Sequence, residues 1–98
     1  MRNITILTES DFENIEHWAA LRYSISQIAT MLNVDISEFR MIMQNPSSEL
    51  AIRYNSGKLK SSIKRREKLV EMAENGSIWA MQTLDGYEKD QREDELMP

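Results

Sequence analysis

Across residues 24 to 44, SISQIATMLNVDISEFRMIMQ, apolar positions recur at helical spacing in two short runs with a polar break between them. Ile25, Ile28, Ala29 and Leu32 share one face of the first run, and Ile36, Phe39, Ile42 and Met43 share one face of the second. Ser24 with Gln27 reads as a capping box that starts the first helix, and Asp35 with Glu38 reads as another for the second. Small Ala29 lets the helices cross closely, Asn33 tolerates a left-handed turn, and Val34 is placed to plug the corner. The pattern predicts a helix-turn-helix; spacing alone also admits an αα-hairpin of any small helical bundle.

Upstream, Ser10 with Glu13 predicts the start of a brace helix running to about Arg22, with Phe12, Ile15 and Ala19 on one face and Trp18 and Leu21 widening it. Residues 1–9 alternate weakly around Ile4 and Ile6 and read as an N-terminal arm, either extended on a neighbour or disordered. Downstream, Asn45-Pro46 ends the second short helix and can open the next, a long helix to Glu74 in which Asn55-Ser56-Gly57 is a candidate bend.

Ile52, Leu59, Ile63 and Val70 fall on one stripe of that helix in heptad steps, with Arg66 interrupting it, and such a seam wants a partner helix. Asn75-Gly76 predicts a left-handed stop, and Ser77 starts a short last helix carrying Ile78, Ala80, Met81, Leu84 and Tyr87 that folds back. Phe12, Trp18, Phe39 and Trp79 read as core. The expected architecture is all-α. It has an arm at 1–9, a helix-turn-helix domain at 10–45, an oligomerising helical hairpin at 46–87 and an acidic flexible tail at 88–98.

Charge refines this picture. The net charge is −4, but residues 1–50 hold three basic and seven acidic side chains, 51–76 hold seven and three, and 77–98 hold two and six. Only the middle third attracts a polyanion. There Arg53, Lys60, Lys64 and Lys68 line up away from the apolar stripe, with Lys58 and Arg65 on a flank, so these six are candidate phosphate contacts. A solvated helix face is the plainer reading of the same charges.

With 98 residues and no cysteine, the chain forms a single small core without thiolate chemistry, and a deep catalytic cleft is hard to build from it. The single histidine, His17, has no metal-ligand or nucleophile partner in the sequence and reads as surface or packing. No phosphate loop, paired-carboxylate site or triad can be assembled, so no enzyme, metal or cofactor is expected. No apolar run approaches the ~20 residues of a membrane span, and the first nine residues lack a signal-peptide pattern, so a cytoplasmic protein is expected.

The path YSISQIATMLNVDISEFRMIMQNP, then a long helix containing YNSGKLKSS, then AENGSIWAM resembles the phage terminase small-subunit type of helix-turn-helix protein. The resemblance lies in Gln27-Ile28-Ala29, in Phe39 of the second helix, in Pro46 after it, in Gly57, and in the Ala73 to Gly76 stop. It covers roughly residues 12 to 86. It implies a non-catalytic, ring-forming recogniser of viral double-stranded DNA for genome packaging in a host cytoplasm. It also implies hand-over of the DNA to a separate large-subunit motor; the acidic C-terminal tail reads either as a solubilising segment or as a docking segment for that large subunit.

On this reading Ser37, Glu38, Arg40, Met41 and Gln44 face DNA, Arg40 suiting guanine and Gln44 adenine. Ile52, Leu59, Ile63, Arg66 and Val70 assemble the copies, whose combined grip offsets the acidic first half. Two other readings stay open. One is a dimeric transcription regulator with two recognition helices about one DNA turn apart. The other is a protein-binding helical module without DNA affinity, using Met31, Met41, Met43, Met72 and Met81 as adaptable contacts.

Overall fold

Helices begin in this chain where a short polar side chain can accept from backbone N–H groups that have no partner within the helix. Thr8 does so for α1 (Glu9–Ala20), Ser24 for α2 (Ile25–Leu32), Asp35 for α3 (Ile36–Met43) and Ser77 for α5 (Ile78–Glu95). The long helix α4 (Glu49–Glu74) starts under Ser48, whose hydroxyl accepts from Ala51 N at 3.2 Å and donates to Ile42 O at 3.0 Å, tying the end of α3 to its own start. A 3-10 turn, Ile4–Ile6, precedes the five α-helices, and there is no strand. The computed structural model describes all 98 residues, which divide into two compact units, Met1–Ser61 and Ser62–Pro98.

Three of the helix ends share one device. Residue C′ is left-handed at Arg22 (φ 70°), Asn33 (φ 58°) and Gly76 (φ 94°). In each the next residue's N–H reaches back five positions: Tyr23 to Trp18 O, Val34 to Ala29 O and Ser77 to Met72 O. These are Schellman caps, which satisfy carbonyls that would otherwise be orphaned. Asn33 and Gly76 do what their residue types predict; Arg22 adopts the same conformation without being a favoured residue for it.

The first unit is built around Ile15, Ile28, Ala29 and Phe39, all fully buried, with Val34 at 3% exposure plugging the turn between α2 and α3. Several boundaries differ from expectation, each for a local reason. The cap of α1 is Thr8 rather than Ser10, because Asp11 at the third helical position accepts from Thr8 N at 2.8 Å while Thr8 Oγ1 accepts from Asp11 N at 3.2 Å. Asp35 caps α3 by accepting from Glu38 N at 2.9 Å, but the return bond of a full capping box is not made. Asn45-Pro46 lies in the connecting turn, where Asn45 Oδ1 accepts from Ser47 N at 3.0 Å.

Residues 1–9 are neither disordered nor separate from the first unit. Arg2 N donates to Asn33 O at 2.7 Å, its guanidinium holds the Asp11 carboxylate at 3.0 and 2.7 Å, and Ile4 and Leu7 pack on the core. Gly57 marks no break in α4. A Cβ there would collide with the Glu16 carbonyl oxygen and stand 2.9 Å from Ala19 Cβ, so glycine lets α4 lie against α1.

In the second unit, Leu69 of α4 and Ala80 of α5 are buried, Leu84 and Tyr87 are half-buried, and the Arg66 guanidinium lies 3.9 Å from the centre of the Tyr87 ring. These contacts make an antiparallel hairpin. Trp79 is not core: it is 62% exposed beside exposed Ile78. Nor does the last helix stop near Tyr87. Residues 88–95, expected to be a flexible tail, continue it through Glu95, with Arg92 to Glu88 at 3.2 Å and Lys89 to Glu93 at 3.9 Å as successive i,i+4 pairs. Charged residues of high helix propensity extend a helix without needing apolar content.

Candidate nucleic-acid interface

The face of α3 opposite Phe39 is the candidate reading surface. Alternation on the helix buries Phe39 against α2 and leaves Ser37, Glu38, Arg40 and Met41 exposed, with Gln44, also exposed, as the C-terminal cap. Arg40 is the only basic side chain between residues 24 and 44. Its Nη2 donates to Ser26 Oγ on α2, a contact joining the two helices that residue patterning did not reveal. Beside it, Tyr23, Ser26, Gln27, Thr30 and Met31 line a shallow, largely apolar hollow of about 340 Å³ on the outer side of α2.

The basic line on α4 does not survive as a single set. Arg53 is drawn inward to 20% side-chain exposure and bridged by Glu9, by Glu16 at 3.0 Å and by Glu49 at 3.1 Å. Its role as a phosphate contact is therefore corrected: its charge is consumed in fastening α4 to α1. Lys60 also pairs with Glu16, although its ammonium stays largely exposed. Lys58 is exposed over the Tyr54 ring, 5.5 Å from its centre. In the second unit Lys68 stands 3.8 Å from Glu71, while Lys64 and Arg65 are exposed and engage no carboxylate.

Glu16 is the hub that sequence reading missed. Lys60 and the Ser56 hydroxyl, which donates at 2.9 Å, hold its carboxyl below the ordinary range against the opposing effect of burial. Asp11 is likewise held well below that range, first by Arg2 and then by Thr8. Glu16 lies 37 and 40 positions from Arg53 and Ser56, so no local pattern points to it. The Thr8-to-Asp11 spacing, by contrast, is a legible capping signature.

The proposed assembly positions are exposed apolar side chains. Ile52 and Leu59 in the first unit are 49% and 66% exposed, and Ile63 and Val70 in the second are 53% and 44% exposed. Arg66, the residue that interrupts the stripe, is exposed and stacks its guanidinium on Tyr87 of its own hairpin. His17 is exposed, and no group of three His, Asp or Glu side chains is arranged to hold a metal ion. No helix is long and apolar enough to cross a membrane. No protein-family model matches the chain, and neither the curated proteins nor the solved structures compared with it gave a match.

Proposed function

We propose that this chain is a non-catalytic, oligomeric DNA-recognition protein of the terminase small-subunit type, reading duplex DNA with α3. The observation that carries this reading is the division of α3 into a buried Phe39 side and an exposed side bearing Arg40, Met41 and Gln44, within a helix pair closed by the left-handed Asn33 and the buried Val34. Arg40 offers the donor fork that suits guanine, and Gln44 the donor and acceptor that suit adenine. Phosphate contacts fall first to the exposed cations that engage no carboxylate, Lys58 in the first unit and Lys64 and Arg65 in the second, whereas exposed Lys60 and Lys68 are paired with Glu16 and Glu71.

A chain of net charge −4 binds a polyanion weakly as a single copy, and several copies on one duplex multiply that grip. Exposed Ile52, Leu59, Ile63 and Val70 support such assembly. The acidic end of α5 is the segment offered to a packaging motor. Fluorescence anisotropy with duplex DNA at low salt tests the core of the proposal. Binding that falls with Arg40→Ala and weakens with Lys64→Glu plus Arg65→Glu supports it; a wild-type chain that leaves the duplex free at every concentration refutes it.

The exposed Ile78-Trp79 pair favours one other reading, a protein-binding module without DNA affinity. Under that reading the charge reversals leave partner binding unchanged, while Trp79→Ala removes it.

A further inference from the structure

We infer that Ser26 and Arg40 form one guanine-reading unit, in which Ser26 on α2 fixes the plane of the Arg40 guanidinium on α3; this rests on the reading of α3 as a DNA-recognition helix. The division of labour between two neighbouring serines makes it possible. Ser24 caps α2, its hydroxyl accepting from Gln27 N at 3.1 Å, while Gln27 Oε1 accepts from Ser24 N at 2.9 Å. Ser26 is thereby released from capping, and its hydroxyl accepts from Arg40 Nη2 across the helix pair.

The choice of acceptor matters. Arg2 and Arg53 face carboxylates, which satisfy the guanidinium and cancel its charge. Arg40 faces a neutral hydroxyl, which holds one of its N–H groups without cancelling its charge, and the side chain stays exposed. Contact with guanine O6 and N7 needs two of the guanidinium N–H groups in one plane. A long side chain loses up to about 2 kcal/mol of rotamer freedom when ordered, and a hydrogen bond already made in the free protein lowers that cost at the moment of binding. Ser26 is thus a positioning residue: it acts on DNA through Arg40.

Duplexes selected from a random pool by the wild-type chain, then competed base by base, give the test. Ser26→Ala should lower discrimination for guanine at one base pair by about fivefold or more, the scale of a bidentate base contact, with an unchanged unfolding midpoint. Arg40→Ala should abolish discrimination at the same base pair, the double variant should add nothing to Arg40→Ala, and Ser26→Thr, which keeps the hydroxyl, should restore it. If the wild-type chain discriminates and Ser26→Ala matches it, or loses discrimination at a different base pair, the positioning role is overturned while the DNA reading stands. A wild-type chain with no sequence preference overturns both.

Discussion

At the scale of single residues, the decisive side chains are those whose partners are far along the chain. Gly57 is one. In an exposed helix interior, replacing glycine by alanine gains about 1 kcal/mol. Here the added methyl meets the Glu16 carbonyl and Ala19 Cβ, and overpacking of that kind costs about 1–3 kcal/mol. Gly57→Ala should therefore lower the stability measured by urea denaturation, opposite in sign to the propensity gain.

Asp11 and Glu16 set the response to acid. Both carboxyls are held below their ordinary range in the folded chain, so the unfolded chain binds protons more readily. Their contribution to stability is complete above the unfolded value near pH 4 and is lost as pH falls through the lower folded values. Urea midpoints should drop on passing from pH 7 to pH 3, and Asp11→Asn should flatten that drop while lowering the pH 7 midpoint.

At the scale of elements, caps rather than apolar content decide where helices stop and start. Arg22 and Gly76 occupy the same left-handed position in their two Schellman caps, one with a side chain that resists it and one without. A residue with a Cβ is disfavoured there by roughly 1–2 kcal/mol relative to glycine. Arg22→Gly should raise the unfolding free energy and Gly76→Ala should lower it, each by about 1 kcal/mol in urea denaturation. Equal and same-signed effects at the two sites would show that the shared backbone geometry does not govern them.

At the scale of the whole molecule, charge and exposed apolar surface set the terms. The chain is acidic overall, and of its candidate phosphate contacts Arg53 is already spent on Glu9, Glu16 and Glu49. Arg53→Ala should therefore reduce stability with little change in the salt dependence of DNA binding. Lys64→Ala and Arg65→Ala should each reduce the slope of log K against log salt by about 1. Light scattering should give a mass greater than a dimer, falling with Ile63→Asp and Val70→Asp; a monomer at all concentrations would remove the collective part of the proposal.

The helical periods of residues 24 to 44, the Ser24–Gln27 box, the Asn33 and Gly76 stops and the all-α class were legible because each is a local signal, written within one or two turns of the chain. What only the tertiary structure decided is which side chains remain available. Patterning placed Arg53 with the phosphate-facing lysines, Trp79 in a core and residues 88–95 in a tail. In the folded chain Arg53 meets Glu16 from 37 positions away, Trp79 stands in solvent, and residues 88–95 are helical. Helix formation depends on neighbours a few residues apart, whereas the use of a charge or the burial of a ring depends on what the fold brings beside it.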